Sequence, residues 1–395
     1  MLDNGKAEGA RKIKQIEKYC LRDIAIVSQG FTFSRSYQGK KNLKWNYFKV
    51  ADIGINPNSK YLTNAINTIS DITMEEIGAL PFSKGSIVFP RVGAALFNNN
   101  KKILAQDGVV DDNVLVLTVT DTSKCWYEFL YYYLQGIPLA KWCNSGLVPV
   151  INTKTVLSQM VFLPPLPEQQ KIAAILSTQD KVIELKEKLL ALKQQQKKYL
   201  MQQLLMPKNK EKSFKAIHLS DISCLINKHI DGQKYNYVST ENISPNLSGK
   251  VLFDESNIEI SGVGFNAGDI LVGNIRPYLK KVWRANKDGL CSTDVLVFKP
   301  IGISSEFLYY LIANDNFFFN VMTTAKGSKM PRGDKKAIMS AKMLIPESRI
   351  EQNFIVEILS TADHEINLLQ ESIEAEKQKK KALMQLLLTG KVRVK

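Results

Sequence analysis

The sequence predicts an α+β fold in which one mixed α/β domain occurs twice and each copy is followed by a long helix. Three observations predict it: an internal repeat, two long segments without proline or glycine, and short β-rich runs at matching places in both copies. We expect a first domain at 1–162, a first helix at 163–206, a second domain at 207–345 and a second helix at 346–395.

The repeat is clearest in the segments EQQKIAAILSTQD and EQNFIVEILSTAD, which begin at Glu168 and Glu351, 183 residues apart. The same offset relates KKYLMQQLL at Lys197 to KKALMQLLL at Lys380. Upstream, FSKGSIVF resembles FNAGDILV, and EFLYY occurs in both copies, but the offset drifts. A shared scaffold with divergent loops is expected of two domains that recognise different things.

Each copy closes with a helical segment whose apolar residues recur every seven positions. Pro167 suits the first helical turn, Pro207 stops the first helix, and Gly390 suits the end of the second. Both heptad columns are interrupted at the same step by a lysine, Lys197 or Lys380. The columns consist of Leu176, Ile183, Leu190 and Leu204 in the first helix and Leu359, Ile366, Ile373 and Leu387 in the second.

A heptad column of this length is typical of a coiled coil, although each helix could instead pack on its own globular domain. The matching columns favour the helices packing on each other. Roughly 38 residues at about 1.5 Å each make a rod of about 57 Å. If the helices pair antiparallel, the globular domains lie at opposite ends of a spacer.

Within the globular domains, β-branched runs predict strands at 86–89, 114–119, 269–272 and 295–298. Short helices with aromatic core faces are predicted at 128–134 and 306–312. The run Gly262-Val263-Gly264 predicts a hairpin turn. We expect each domain to contain a curved or partly open sheet.

Composition narrows the class of partner. The chain has 395 residues and a formal charge of +15, which points to a polyanion and most simply to nucleic acid. No apolar stretch is long enough for a membrane span, and the polar N-terminus lacks a signal-peptide core, so we expect no membrane partner and a cytoplasmic location. Five scattered cysteines and three separated histidines indicate neither a disulfide framework nor a metal site.

Several loops combine Arg or Lys with Asn, Ser and Gly at equivalent places in the two domains. Arg and Asn suit base edges in the major groove, whereas Lys, Ser and backbone N–H groups suit phosphates. The alternative is ordinary solvated loops. The candidate DNA-binding residues are Arg91, Asn98, Lys101, Lys102, Asn152, Asn274, Arg276, Tyr278, Lys280, Lys281, Lys329 and Arg332.

Catalytic signatures are missing from the sequence. We find no Gly-rich cofactor loop paired with an Asn/Asp-Pro-Pro-aromatic motif, no phosphate-binding P-loop, no His-Glu-x-x-His helix and no nucleophile triad. We therefore assign no catalytic residue and no metal ligand. A nuclease site made of loosely spaced carboxylates is an alternative that the sequence leaves open.

The chain resembles the specificity subunits of type I restriction-modification systems. The resemblance covers nearly the whole chain and rests on PPLPEQQKI at 164–172, its second copy at 346–355, the helix ends LMQQLL and LMQLLLTGKVRV, and GDIL at 268–271. The second copy lacks the double proline and is one residue longer, and the first copy has Gly85-Ser86 in place of Gly-Asp. These departures blur the alignment of the loops.

The resemblance implies two target recognition domains, each reading half of a bipartite site in double-stranded DNA. It implies an antiparallel coiled coil that sets the spacer and docks two adenine methyltransferase subunits, which use S-adenosylmethionine. Two restriction subunits, motor-nucleases that use ATP and Mg²⁺, join through them, and this chain has no catalysis or cofactor of its own. The alternatives are a DNA-binding enzyme with built-in methyltransferase or nuclease activity, and a coiled-coil scaffold that binds no DNA.

Overall fold

The computed structural model describes residues 16–55, 59–144, 146, 148–205, 214–233, 236–253 and 259–394. The chain forms two compact units. Unit 1 comprises Met1–Lys188 with Glu371–Lys395, and unit 2 comprises Leu189–Gln370. Each unit therefore combines one globular domain with the first part of one long helix and the second part of the other.

The first globular domain holds three sheets and four short helices. A five-stranded sheet has the order β2-β9-β6-β7-β4, a three-stranded sheet the order β5-β3-β8, and β1 pairs with β10. The elements are β1 Glu17–Cys20, β2 Ala25–Gln29, β3 Trp45–Phe48, α1 Val50–Gly54, β4 Tyr61–Leu62, β5 Asn67–Ile69, α2 Asp71–Glu76, β6 Ile87–Pro90, β7 Lys102–Leu104, β8 Val109–Val110, β9 Val114–Val119, α3 Tyr127–Gln135, α4 Thr153–Leu157 and β10 Met160–Leu163, after which helix α5 spans Leu166–Leu205.

The second domain repeats this plan with different loops. Its sheets have the orders β12-β19-β16-β17 and β13-β15-β18-β14, and β11 pairs with β20. The elements are β11 Phe214–His218, α6 Leu219–Ile222, β12 Ser223–Ile226, β13 His229–Gln233, β14 Tyr237–Val238, β15 Glu259–Phe265, β16 Ile270–Gly273, β17 Val282–Arg284, β18 Gly289–Cys291, β19 Val295–Pro300, α7 Ser305–Ile312, α8 Asp315–Thr323, α9 Lys335–Met339 and β20 Lys342–Pro346, and helix α10 spans Arg349–Leu387.

The central strand of each large sheet is buried on both faces, which explains its unbroken apolar run. Ile87 and Phe89 of β6 pack with α3 in one core, whereas Val88 packs in a second core against the smaller sheet. Ile270 and Leu271 of β16 divide in the same way. A strand covered on both sides has no polar face, so the sequence does not alternate.

The predicted strands and short helices occur within a residue or two of their expected ends, and Tyr132 and Tyr310 are buried in the cores as expected. Two expectations were wrong. Each domain has two larger sheets rather than one. Gly262 and Gly264 lie inside strand β15 and not in a turn. Glycine is needed at these positions because a Cβ would come within 3 Å of Cys291 or Ile230 on the neighbouring strands.

The long helices agree with the predicted segments. Pro167 lies in the first turn of α5, and Gly390 after α10 has the left-handed backbone expected at a helix end. Pro207, the expected stop of α5, lies outside the described residues. No helix in the described part of the chain is long and apolar enough to span a membrane. Of the heptad residues, Leu190 and Leu204 are half-buried, and the buried ones are Leu176, Ile183, Leu359, Ile366, Ile373 and Leu387.

Inside unit 1 the two helix segments run antiparallel. Glu168 at the start of α5 accepts hydrogen bonds from Arg393, beyond the end of α10, at 2.7 and 2.8 Å. Further along, Lys186 pairs with Glu376 at 2.8 Å, which lowers the pKa of Glu376 to about 2. Leu387 shares the core of the first globular domain. The second part of α10 thus packs on the first domain rather than on its own.

The lysines that interrupt the heptad columns are paired with aspartates of the facing helix. In unit 1, Lys380 Nζ lies 2.5 Å from Asp180 Oδ1, and the Tyr132 hydroxyl donates to Asp180 Oδ2 at 2.6 Å. We call these three residues the first Lys–Asp–Tyr cluster. Because the tyrosine belongs to α3, the cluster joins both helix segments to the globular domain.

Unit 2 contains the equivalent second Lys–Asp–Tyr cluster. Lys197 Nζ lies 2.5 Å from Asp363 Oδ1, and the Tyr310 hydroxyl donates to Asp363 Oδ2 at 2.9 Å. Burial and the adjacent aspartate raise the pKa of the Tyr310 hydroxyl, as they do for Tyr132, so both tyrosines remain donors. The repeat therefore preserves a buried polar contact as well as apolar packing.

We expect Asp180→Ala to lower the free energy of unfolding of unit 1 by roughly 1–3 kcal/mol, because it leaves Lys380 and Tyr132 without their shared acceptor. Glu184→Ala is the matched control, since Glu184 is exposed on the same helix and pairs with Lys181 and Lys188 of that helix. It should change stability by about 0.5 kcal/mol or less. Urea unfolding followed by circular dichroism measures both, and equal losses would contradict the proposed anchoring.

Candidate nucleic-acid interface

The first candidate surface lies where strand β6 ends. Residues 91–102 leave this strand and meet the described residues of the segment 143–152, which are 143, 144, 146 and 148–152, through backbone hydrogen bonds. Gly93 N donates to Pro149 O at 2.9 Å, and Ile151 N donates to Arg91 O at 2.9 Å. We call these two segments the first loop cluster. Their backbones are held together, so their side chains are presented from a fixed frame.

The second loop cluster, residues 274–281 with 326–332, follows strand β16 and is built on the same frame. Arg276 N donates to Pro331 O at 2.8 Å, as Gly93 does to Pro149 in the first cluster. Gly93 and Arg276 both have a positive φ, of 81° and 51°, and Arg276 has the left-handed helical conformation. For a residue other than glycine this conformation costs roughly 1–2 kcal/mol, so the second cluster holds Arg276 against local strain.

Five of the candidate residues expose their side chains in these clusters: Asn98, Asn152, Tyr278, Lys329 and Arg332. Two of them also have a structural contact. Asn152 caps α4 by accepting from Lys154 N at 2.9 Å, and Arg332 Nε donates to Asp294 at 3.0 Å. Arg91 is half-buried and donates to Asp112 O at 3.4 Å. The clusters therefore combine amide, aromatic and cationic groups.

Lys101 and Lys102 do not belong to this surface, because their side chains are only 2% and 1% exposed. Lys101 Nζ donates to Asn99 Oδ1 at 2.6 Å and to Ile137 O at 2.9 Å, and Lys102 Nζ donates to Ser59 O. Burial lowers the pKa of Lys101 to about 7 and that of Lys102 to about 8. Their burial argues against the DNA contact that the sequence suggested, since phosphates cannot reach them.

Lys280 and Lys281 also anchor the loop rather than extend from it. Lys280 Nζ lies 2.5 Å from Asp315 at the start of α8, and Lys281 Nζ donates to Thr240 O at 2.5 Å. In the first cluster Asn99, left-handed like Lys280, accepts from Leu139 N at 2.9 Å. In both domains the end of the loop is therefore tied to the element that follows α3 or α7.

Two buried polar atoms in the second cluster make no hydrogen bond within the described part of the chain. They are Asn274 Oδ1 and Arg276 Nε. Buried polar atoms are normally satisfied, and exceptions in native proteins often mark functional positions. Together with the strained backbone of Arg276, they single out this loop from the rest of its domain.

Sequence reasoning missed one exposed aromatic residue in the first cluster. Phe97 lies in a 3₁₀ turn, Ala94–Asn98, which corresponds to the turn Pro277–Leu279 that carries Tyr278. The first turn is two residues longer, so a constant offset does not align the two aromatic residues. The two aromatic residues match when the turns are aligned from the left-handed residues that end them, Asn99 and Lys280, and only the structure shows this conformation.

Among the described residues, no group of three or more His, Cys, Asp or Glu side chains is placed to hold a metal ion. The surfaces described above are instead suited to binding by hydrogen bonds, charge and stacking.

Comparison with known proteins identifies the family. Residues 13–194 and 219–377 match the family described as the type I restriction modification DNA specificity domain, so each copy of the repeat matches it separately. The chain belongs to this family. It is a type I restriction-modification specificity subunit.

Two relatives from Methanocaldococcus jannaschii are each 26% identical. The type I restriction enzyme MjaVIII specificity subunit matches in an alignment of 288 positions that covers 63% of this chain, and the chain spans 65% of that relative's length. The putative type I restriction enzyme MjaX specificity subunit matches in an alignment of 415 positions, gaps included, that covers 95% of this chain and 93% of the relative.

Solved structures show the same fold. The S subunit of a type I restriction-modification system from M. genitalium superposes with a TM-score of 0.61 at 13% identity, over 97% of this chain and 98% of that one. A chain from a structural study of assembly and conformational transition in a type I system superposes with a TM-score of 0.58 at 11% identity, over 95% and 97%. At these identities the likeness concerns fold alone.

The burial of Lys101 predicts a pH dependence of stability. Between its folded pKa of about 7 and the ordinary lysine value of 10.5, the unfolded chain binds a proton that the folded side chain lacks. Stability therefore rises with pH in that window, by at most about 1.4 kcal/mol per pH unit for one group. We expect Lys101→Met to lose this part of the rise between pH 7 and 9.5 in urea unfolding.

Lys84→Met is the control, because Lys84 is an exposed lysine of the same domain. It should keep the wild-type slope. A Lys101→Met slope equal to that of wild type would mean that Lys101 stays charged in the folded protein.

Proposed function

We propose that this specificity subunit reads a bipartite sequence in double-stranded DNA, with one globular domain for each half-site. The first loop cluster contacts one half-site and the second loop cluster contacts the other. Arg91, Asn98 and Asn152 serve in the first, and Arg276, Tyr278, Lys329 and Arg332 serve in the second, whereas Asn274 of the second cluster is buried.

The observation that carries this proposal is the contrast between what the repeat keeps and what it changes. The sheets, the helix ends and the Lys–Asp–Tyr clusters recur in both units, whereas the loop clusters differ in length and in nearly every side chain. A common scaffold with different loops is expected when one architecture reads two sequences. The charge of +15 on the whole chain favours a polyanionic ligand.

We propose that the paired helices act as the spacer between the half-sites. In each unit, an ion pair between the helices and a tyrosine of the globular domain fix how the domain is mounted on the helix pair. Helices of 40 and 39 residues are rigid on the scale of a turn of DNA. The length of helix between the first and second Lys–Asp–Tyr clusters then sets the number of base pairs that are not read between the half-sites.

We further propose that the helices dock two modification subunits, which methylate adenine with S-adenosylmethionine, and that two restriction subunits using ATP and Mg²⁺ join through them. This chain contributes recognition and assembly, and the partner subunits contribute the chemistry. Membership of the type I restriction modification DNA specificity family supports a role in such a complex.

The spacer proposal predicts the effect of shortening the helices. Removing one heptad from α5 and one from α10, between the two Lys–Asp–Tyr clusters, shortens the pair by about 10 Å. At about 3.4 Å per base pair, the methylated motif should lose about three base pairs of spacer and keep both half-sites. Methylation mapping of genomic DNA measures this. An unchanged spacer, or a changed half-site, would refute it.

Salt dependence separates contacting lysines from buried ones. We expect Lys329→Gln to weaken DNA binding and to reduce the slope of log affinity against log salt by about 0.9, because one phosphate contact is lost. Lys101→Met should leave the slope unchanged, because Lys101 is buried. Binding titrations between about 50 and 200 mM salt, with the modification subunits present, decide it. The proposal fails for Lys329 if both variants keep the wild-type slope.

A further inference from the structure

The turns of the two loop clusters expose an aromatic ring at equivalent places. Phe97 is 67% exposed and Tyr278 is 51% exposed. Each is the second residue before the left-handed residue that ends its turn, Asn99 or Lys280. The copies have changed every neighbouring side chain, with ALFNNN in one and RPYLKK in the other, yet both keep a large aromatic residue at this point.

We propose that Phe97 and Tyr278 are DNA wedges, each of which inserts into the base stack at one step of its half-site. This inference rests on the proposed function and adds residues and a mode of contact to it. It assigns the two aromatic residues a task that does not depend on the sequence being read.

The first argument is that the turns are held firmly. In the first cluster, Asn99 Oδ1 accepts from Leu139 N at 2.9 Å and from Lys101 Nζ at 2.6 Å. In the second, Lys280 is held by Asp315, which Lys198 of the long helix also contacts at 2.7 Å. A wedge must resist the stacking energy of the bases that it separates, so it needs such a fixed mount.

The second argument is that each turn rests on buried residues while its aromatic ring is left out of the core. Leu96 beside Phe97 is fully buried, and Pro277 beside Tyr278 is buried. The ring is therefore oriented by its neighbours and not by packing of its own. Exposing it costs apolar burial, and a ligand with an apolar face would recover that loss.

The third argument concerns why both domains share the feature although they read different sequences. Hydrogen-bonding groups must change when the target bases change. Stacking is tolerant of sequence because every base has a π-face. An aromatic residue can therefore be kept through divergence where arginine, asparagine and lysine cannot. Cationic residues of the second cluster, Lys329 and Arg332, supply the charge that a DNA-facing surface needs.

The test uses the full chain assembled with its modification subunits, on duplexes that carry the motif found by methylation mapping. 2-Aminopurine is placed at successive non-target positions, because its fluorescence rises when it is unstacked. We expect one enhanced position in each half-site. Phe97→Ala should abolish only the signal in the first half-site, and Tyr278→Ala only that in the second. Each variant should weaken binding roughly 5- to 150-fold, the range measured for base–aromatic stacking.

Conservative and control variants separate the wedge from other roles. Tyr278→Phe and Phe97→Trp should keep the signal, since they keep an aromatic ring. Phe162→Ala and Phe354→Ala, which remove exposed rings outside the loop clusters, should also keep it. A probe at the target adenine reports assembly independently, because the methyltransferase must extrude that base to reach it.

Three results would overturn the wedge, of which two concern the alanine variants. The first is a wild-type signal and affinity that survive both alanine substitutions. The second is loss of assembly with the modification subunit, which would make the rings a protein contact. If methylation mapping of the wild-type complex gives no bipartite motif, the proposed function itself fails. If mapping gives a bipartite motif but no non-target position shows enhanced 2-aminopurine fluorescence, only the wedge proposal is refuted.

Discussion

An ion pair between the two long helices, tied to a tyrosine of the globular domain, is the contact on which each unit depends. Lys380, which pairs with Asp180, and Lys197, which pairs with Asp363, occupy heptad positions where a coiled coil would place apolar residues. An ion pair specifies its partner in a way that leucine does not, because a shift in register leaves a half-buried charge uncompensated. Since Tyr132 and Tyr310 donate to the same aspartates, helix register and domain mounting are set together.

The same division between mounting and reading recurs in the loops. Four lysines of the loop clusters bind carbonyl, amide or carboxylate oxygens of their own domain through their amino groups: Lys101, Lys102, Lys280 and Lys281. These lysines hold the loop frames, while other side chains remain outside. A loop that binds a ligand benefits from such anchoring contacts, because a mobile loop loses conformational entropy when it binds. Basic character alone is therefore a poor guide to which residues touch DNA.

Much of the fold could be predicted from the sequence, and the limits are instructive. The heptad columns located α5 and α10 because helix periodicity is local. The strands at 114–119 and 295–298 followed from composition for the same reason. The glycines of β15 were wrongly predicted to form a turn. They are needed because strands that are distant in sequence approach β15 closely at these positions, and no local pattern shows that approach. For the site, the sequence located the loop clusters but could not say which side chains leave them.

By itself, the sequence determined that there are two copies of one domain, that each ends in a long helix, and that the loops diverged while the helices did not. These are properties of order and period along the chain. Only the tertiary structure decided that Leu387 packs in the core of the first domain, that Lys101 is buried, and that Phe97 and Tyr278 occupy equivalent places in their turns. Burial and pairing arise between residues that are distant in sequence, so no local pattern records them.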